Sequence, residues 1–192
     1  MLIDNSYLFS EVQLNTPLQA VAARVTLSKA ITICNIYILP SVDVSLPDLE
    51  WLIQQLPAPF VPVGDFNAHS PLWDDVRQDS RGQTEETLSD DYNLCLLNTG
   101  EATYRHHSHH SFSVLGLSIC DPSLALEFDW LTHSDLCGSD HFPIILKTSP
   151  NEDELAAEHW RLTGCPSALY VRRDCLASWP CWRTQWLSLQ IL

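Results

Sequence analysis

The chain has 192 residues and a formal net charge of −14, with 45% apolar and 18% charged residues. This composition is typical of one globular domain and excludes an intrinsically disordered chain. No apolar run approaches the roughly 18–20 residues that cross a bilayer, so we expect no membrane partner, and the acidity disfavours nucleic-acid binding through charge alone.

The first predicted elements are a β-hairpin, a helix and a buried strand. Leu18–Leu27 and Ile31–Leu39 are rich in β-branched residues and are joined by a short polar turn, and the second is apolar enough to be buried on both faces. Pro47–Leu56 has apolar residues at helical spacing, with its proline near the first turn. Phe60–Val63 then predicts a short buried strand that ends at Gly64.

The following part of the chain predicts a second helix and more strands. Gln83–Leu97 has an acidic first half and predicts a helix that runs into a short strand near its end. Ser113–Ile119 and Phe142–Leu146 are strand-like, and Pro122–Leu126 predicts a short helical turn between them. Strands that alternate with helices, together with antiparallel hairpins, predict a layered α/β sandwich.

A domain boundary is predicted near Pro150. Residues 1–150 carry the periodic elements, whereas residues 151–192 begin with an acidic stretch and contain four of the seven tryptophans. No periodic pattern is visible in that second part, so we expect a divergent, weakly structured tail.

The termini and the cysteines indicate a cellular setting. Residues 1–5 lack a basic region followed by an apolar stretch, which predicts no standard secretory signal. The seven cysteines are odd in number and form no Cys-x-x-Cys pair, which favours a reduced, intracellular setting over a disulfide scaffold.

Two short strings carry groups suited to hydrolysis, and each lies where a buried strand meets a loop. In layered α/β folds such strand ends carry the catalytic groups. Asp65 and Asn67 are two residues apart on an extended segment, so their side chains are expected to point to the same side and to hold a divalent cation and a substrate oxygen. Asp140 and His141 supply a carboxylate and an imidazole, which are the usual groups for activating water.

Several segments together resemble the endonuclease/exonuclease/phosphatase superfamily, and most closely the apurinic-type endonuclease domain of non-LTR retrotransposon (reverse-transcriptase-like) polyproteins. They occur in the family's order and at its approximate spacing over residues 1 to about 150, whereas a Gly-Asp-Phe-Asn string alone would be a weak signal. The matching segments are Asn35–Pro40, Gly64–His69, Pro71–Trp73, Ser80–Gly82, Leu97–Gly100 with Thr103–Tyr104, and Ser139–Ile144.

The resemblance implies a fold, a reaction and a role for each site residue. The fold is a four-layer β-sandwich with flanking helices, and the reaction is hydrolysis of a DNA phosphodiester by activated water with Mg²⁺, or Mn²⁺ as a substitute. Asp65 aligns or activates the water and shares the metal with Asp140. Asn67 holds the scissile phosphate or the leaving oxygen, and Tyr37 hydrogen-bonds a phosphate oxygen. His141 contacts the phosphate and stabilises the charge that develops in the transition state.

The chain departs from the family pattern at two points. The family has a strand ending in Gln-Glu whose Glu is a principal metal ligand, but here Glu11 lacks the preceding apolar strand and Glu50 lies on the predicted helix. The chain is therefore expected to begin after that region, with a fold that is incomplete at its N-terminus. In the family, an Asp pairs with the catalytic His. Gly116 occupies the position of that Asp here, and it supplies no carboxylate to His141. We expect each loss to lower the rate by orders of magnitude, so the chain's own activity stays open.

Other interpretations also stay open. The domain is alternatively a catalytically inactive remnant or binding module, or a phosphatase of the same fold that acts on a small phosphorylated substrate, which the acidic surface favours over duplex DNA. Residues 106–110 contain four histidines and are either a metal site or, more simply, a solvated loop. Arg81 either contacts phosphate or balances Asp79. Nuclear residence follows only from a DNA substrate, because no basic localisation run is present.

Overall fold

The computed structural model describes residues 1–107 and 111–148, together with the backbone of residues 190–191. These residues form two α-helices, α1 (Leu46–Gln54) and α2 (Ser80–Asp91), and short 3₁₀ turns at Pro71–Trp73 and Pro122–Leu124. The strands are β1 (Leu8–Val12), β2 (Gln19–Thr26), β3 (Ala30–Tyr37), β4 (Phe60–Asp65), β5 (Cys95–Leu96), β6 (Tyr104–Arg105), β7 (Phe112–Ser113), β8 (Gly116–Cys120), β9 (Phe128–Thr132), β10 (Ile144–Thr148) and β11 (Gln190–Ile191).

The strands form two facing sheets and a small hairpin. The larger sheet has the order β1-β2-β3-β4-β8-β5, the second has the order β11-β10-β9, and β6 pairs with β7. One apolar core lies between the larger sheet and the two helices, and a second core lies between the sheets. The predicted α/β sandwich is therefore confirmed, and its described residues make up three layers: helices, larger sheet and smaller sheet.

The first half of the chain follows its sequence pattern closely. β2 and β3 form the predicted antiparallel hairpin, and β3 is largely buried on both faces. Helix α1 begins after Ser45, whose hydroxyl oxygen accepts a hydrogen bond from the Asp48 N–H in a capping box, and it connects β3 to the parallel strand β4. Parallel pairing brings the C-terminal ends of β3 and β4 to the same edge of the sheet.

The second predicted helix begins and ends earlier than the pattern Gln83–Leu97 indicated. It begins at Ser80 because the Asp79 carboxylate accepts a hydrogen bond from the Gly82 N–H at 2.7 Å. It ends at Asp91, since Asn93 takes a left-handed conformation (φ 51°) that turns the chain towards β5. The short strand expected at the end of this segment is present as β5.

Two strand predictions need correction. Ser113–Ile119 is divided between β7 and β8, because the Thr103 hydroxyl oxygen accepts from the Leu115 and Gly116 N–H groups between them. The last predicted strand begins at Ile144 and not at Phe142, whose N–H donates to the Thr103 carbonyl. Strands β1 and β9 were not predicted.

Other sequence expectations concern single residues and the tail. Trp73 is packed in the core, and the four described cysteines (Cys34, Cys95, Cys120 and Cys137) form no disulfide. Within the described part of the chain, no helix is both long and apolar enough to span a membrane. The predicted tail lies outside the described residues, apart from β11, whose backbone pairs in parallel with β10.

Candidate active site

The core between the two sheets becomes polar at one end. Val61 and Val63 belong to this core, and the alternation of β4 places Asp65 on the same face, one position further along. Tyr37 is the register partner of Asp65 on β3, and Gly116 is its register partner on β8. The site therefore begins where the apolar rows of three neighbouring strands end.

Gly64 allows the two parallel strands to approach each other at this end. Its φ of +151° is rare for residues with a side chain, and an added Cβ would lie 1.8 Å from the Ile36 carbonyl oxygen. Glycine is thus required here for the close packing of β3 against β4, which brings Asp65 beside Tyr37.

The central contact of the site joins the two sheets. His141 precedes β10 in the smaller sheet, and its Nε2 lies 3.7 Å from Oδ2 of Asp65 in the larger sheet, with the side chains only 1% and 0% exposed. The ring of Tyr104 packs on the His141 ring at 4.8 Å between centroids, and the two residues also form an isolated β-bridge. The carboxyl and the imidazole are therefore held by backbone pairing on both sides.

Burial determines the protonation of this pair. It raises the pKa of Asp65 to about 7, although the hydrogen bonds from Asn67 and the charge of Arg81 act to lower it. Burial also lowers the pKa of His141 to about 4, against the opposing effect of the Asp140 charge. At neutral pH the imidazole is therefore neutral, and the Asp65 carboxyl is close to the midpoint of its titration.

Asn67 is adjacent to Asp65, but not for the reason that the sequence indicated. The expectation of two side chains on one extended segment is wrong, because β4 ends at Asp65 and Asn67 is left-handed with φ 48°. The two residues meet through the Asn67 N–H, which donates to Asp65 Oδ1 at 3.1 Å. The Asn67 side-chain amide donates to the Ile38 carbonyl at 2.9 Å, which links the loops that follow β4 and β3.

Asp140 completes the group of predicted site residues. Its carbonyl accepts from the Arg105 N–H at 2.9 Å, and its carboxylate raises the pKa of both Asp65 and His141. The structure thus places all five residues named from the sequence (Tyr37, Asp65, Asn67, Asp140 and His141) at one end of the inter-sheet core.

Two carboxylates at this end of the core offer oxygen donors of the kind that a magnesium ion requires. Asp65 Oδ2 is buried and accepts no hydrogen bond from any described residue, and the Asp140 carboxylate lies within electrostatic range of it. Mg²⁺ commonly binds through one or two carboxylates and completes its shell with water and substrate phosphate, so these two residues fit it. No group of three or more His, Cys, Asp or Glu side chains that could hold a metal occurs within residues 1–107 and 111–148.

The structure gives Arg81 a role that neither sequence interpretation named. Its Nη atoms donate to five backbone carbonyls from two loops, those of Leu39, Pro40, Val42, Phe66 and Asn67. Asp79 instead caps α2 and accepts from the His69 N–H at 3.2 Å.

Sequence reasoning missed a second polar cluster beside the site. The Asp75 carboxylate accepts from the Val114 N–H at 3.1 Å and lies 3.0 Å from His69 Nδ1, and Nε2 of His69 lies 3.2 Å from the Arg77 guanidinium. Burial would raise the pKa of Asp75, but these hydrogen bonds hold it below its usual value. Only His69, as part of a matching segment, drew attention to this cluster in the sequence.

The histidine-rich segment gives no support for a metal site in its described part. His106 Nε2 lies 2.9 Å from the Ser113 hydroxyl, and the His106 ring packs edge-on against Tyr104. This side chain therefore takes part in the β6–β7 hairpin, whereas residues 108–110 lie outside the described residues.

Comparison with known proteins confirms the resemblance that the sequence motifs indicated. The endonuclease domain of TRAS1, a telomere-specific non-LTR retrotransposon, is similar with a TM-score of 0.62 at 21% identity, over 72% of this chain and 65% of that one. The present chain thus spans slightly less than two thirds of that domain. No curated protein matches.

A family model described as endonuclease-reverse transcriptase matches residues 31–145, from β3 to the beginning of β10. Since this match covers more than half of the sequence, the chain belongs to the endonuclease-reverse transcriptase family.

Proposed function

We propose that this domain hydrolyses a phosphodiester bond of DNA in a Mg²⁺-dependent reaction in which water attacks the phosphorus in line. The observation that carries the proposal is the buried contact of 3.7 Å between Asp65 and His141, within the part of the chain that matches the endonuclease family. A carboxyl and an imidazole without bulk water around them cost stability, and such groups are concentrated at active sites.

Asp65 is the group that prepares the water. Burial raises its pKa to about 7, so near neutral pH its carboxylate can accept a proton from water. The Asn67 N–H holds one carboxyl oxygen, Oδ1, and leaves Oδ2 to face the water and His141. Because Oδ1 is held by the Asn67 N–H, it is Oδ2 that accepts the proton from water.

His141, Asn67 and Tyr37 hold the phosphate. The neutral His141 imidazole donates a hydrogen bond to a phosphate oxygen, and the donor becomes more effective as negative charge develops there. Asn67, in the left-handed turn that follows β4, holds the scissile phosphate or the leaving oxygen. Tyr37, next to Asp65 in register, donates to another phosphate oxygen.

Asp140 and Asp65 would hold the metal ion, with Mn²⁺ able to replace Mg²⁺. When bound, the ion neutralises charge on the phosphate and on the leaving oxygen. The two carboxylates also bring negative charge close together, because Asp140 contributes to the raised pKa of Asp65. This mutual repulsion would favour binding of a divalent cation by these two carboxylates.

A second candidate function is supported by the charge of the chain. A net charge of −14 is unusual for a protein that binds duplex DNA and suits a small phosphorylated substrate better. In that case the same residues act as a phosphatase, whereas in a remnant or binding module they hydrolyse neither substrate. Residence in the nucleus belongs to the DNA proposal and stands or falls with it.

The proposal is tested by nicking of supercoiled plasmid in Mg²⁺ by the whole chain. We expect nicking by the wild type and a loss of about 100-fold or more in Asp65→Asn and His141→Ala, with melting temperatures above the assay temperature. Asp129→Asn, which alters an exposed carboxylate on β9, is the control and should retain the wild-type rate. Hydrolysis of p-nitrophenyl phosphate without nicking would favour the phosphatase, and no hydrolysis of either substrate by the folded chain would favour the remnant.

A further inference from the structure

Two loops leave the site end of the parallel strand pair, and one side chain joins them. Residues 38–42 follow β3, and residues 66–69 follow β4. Nη1 of Arg81 donates to the carbonyls of Phe66 at 3.3 Å and Asn67 at 2.9 Å. Nη2 donates to carbonyls of the other loop, those of Leu39 at 3.2 Å, Pro40 at 3.4 Å and Val42 at 2.6 Å.

The loops that Arg81 joins carry the residues expected to touch the phosphate. Tyr37 lies directly before the first loop, and Asn67 lies in the second. Asn67 is left-handed, a conformation that a non-glycine residue keeps only when its surroundings hold it in place. Arg81 holds the carbonyl of this residue, and the Asn67 side chain holds the Ile38 carbonyl.

We infer that Arg81 is a positioning residue for the proposed hydrolysis, whose guanidinium sets the spacing between the loop that carries Asn67 and the loop that follows Tyr37. The inference rests on the proposed function. Arg81 itself does not touch the substrate, since both of its Nη atoms are occupied by backbone carbonyls. Its effect on the reaction is therefore indirect and passes through the geometry of the two loops.

Lysine cannot replace arginine in this position. A guanidinium is a rigid planar fork whose two ends can bond different segments, whereas an ammonium has three donors on a single nitrogen. In Arg81→Lys the positive charge stays near Asp65, but only one of the two loops can be held at full hydrogen-bond strength. A displacement of about 1 Å at a phosphate-binding group can cost up to about 100-fold in rate.

The opposite end of the same strand pair offers a matched control. Arg24 donates through Nη1 to the Pro57 carbonyl at 2.8 Å and to the Thr32 hydroxyl at 2.9 Å, and through Nη2 to the Ala58 carbonyl at 3.0 Å. Thr32 pairs with Phe60, at the end of the strands that is distant from Asp65. Arg24→Lys thus disturbs an equivalent arginine fork without disturbing the site.

The experiment compares kcat and KM for plasmid nicking in the wild type, Arg81→Lys and Arg24→Lys, at a temperature where all three are folded. We expect kcat to fall by about tenfold or more in Arg81→Lys, with a smaller change in KM, and both constants to stay within about twofold in Arg24→Lys. Equal effects of the two substitutions, or none in Arg81→Lys, would overturn the inference.

Amide hydrogen exchange provides a readout that does not require activity. In Arg81→Lys we expect faster exchange over residues 38–42 and 66–69 and unchanged exchange at the amides of Ala58 and Phe60, and the reverse in Arg24→Lys. A wild type that shows no nicking would contradict the proposed function. Unchanged exchange in the two loops of Arg81→Lys would contradict the inference that Arg81 sets their spacing, so the two failures can be told apart.

Discussion

Gly116 shows how a single residue limits the proposed site. It lies directly opposite Asp65 in an antiparallel pair, so a side chain at this position would face the same end of the inter-sheet core. An added Cβ would lie 2.9 Å from Ile144 Cδ1 and 3.3 Å from Thr103 Cβ. The only severe contact is with the end of a flexible side chain, so a carboxylate can be introduced here once that methyl group is removed.

We therefore predict that Gly116→Asp combined with Ile144→Val raises the plasmid nicking rate by about tenfold, because the new carboxylate orients the His141 imidazole. Nicking kinetics in Mg²⁺ measure the effect. Gly116→Ala with Ile144→Val adds the Cβ without the carboxylate and should give no gain. An equal rate in the two double variants would refute this role of position 116.

Gly64 and Gly138 form a second comparison at the residue scale. Both have positive φ values, +151° and +82°, but an added Cβ would collide with the Ile36 carbonyl only at Gly64, since nothing lies within 4 Å at Gly138. We predict that Gly64→Ala lowers the free energy of unfolding by about 3 kcal/mol or more, and Gly138→Ala by about 1 kcal/mol. Urea denaturation measures both, and equal losses would show that close packing of β3 on β4 does not require glycine.

Among the elements, helix α2 combines positioning with a cost in stability. Arg81 in its first turn joins the two loops, and Glu85, one turn later, is fully buried with both carboxyl oxygens accepting no hydrogen bond from described residues. Burial raises the pKa of Glu85 to about 8, although the Arg81 charge acts to lower it. The folded protein therefore prefers the protonated form of this side chain.

The sign of the resulting pH dependence follows from this preference. The contribution of Glu85 to stability is fully present below its unfolded pKa of 4.5 and is lost as pH rises through about 8. We predict that Glu85→Gln removes this pH-dependent loss, which amounts to roughly 5 kcal/mol above pH 8. Denaturation between pH 5 and about 9 measures how the free energy of unfolding changes with pH in both proteins. Asp90→Asn, an exposed change on the same helix, should keep the wild-type slope, and a wild type with no such slope would show that Glu85 is solvated.

The predicted and missed elements differ in how local their signals are. The hairpin β2–β3 and helix α1 were predicted because apolar periodicity, and for α1 a proline near the first turn, act over neighbouring residues. Strand β1 was missed because its side chains are mostly exposed and it pairs only with β2 among the described strands. Motifs drew attention to the candidate site residues, but the contacts of Arg81 are with backbone carbonyls of distant segments, for which the sequence carries no pattern.

At the scale of the whole molecule, charge is the main difficulty for a DNA substrate. Three of the six Lys and Arg side chains in the described residues are already engaged: Arg24 and Arg81 bond carbonyls, and Lys29 pairs with Glu127 at 2.5 Å. Arg77 contacts His69, which leaves few cations to neutralise phosphates. In the proposed reaction, the described residues would therefore bind DNA mainly through neutral hydrogen-bond donors and the metal ion.

We predict a shallow salt dependence of DNA affinity, with a slope of log K against log salt no steeper than about −3, because each neutralised phosphate contributes about −0.9. Fluorescence anisotropy with a labelled duplex and the inactive Asp65→Asn variant measures the slope. The Arg24 guanidinium is bonded to carbonyls, so Arg24→Lys should leave the slope unchanged. A slope of about −5 or steeper would reveal a cationic surface that the described residues do not contain.

The measurement that tests the central claim most directly is a double-substitution cycle on the contact between the two sheets. Nicking rates in Mg²⁺ are compared for the wild type, Asp65→Asn, His141→Gln and the combined variant. If the pair acts as a unit, each single substitution lowers the rate by about 100-fold, and the combined variant is no slower than the slower single one. Single variants that nick at the wild-type rate, or losses that multiply in the combined variant, would contradict an active site built on Asp65 and His141.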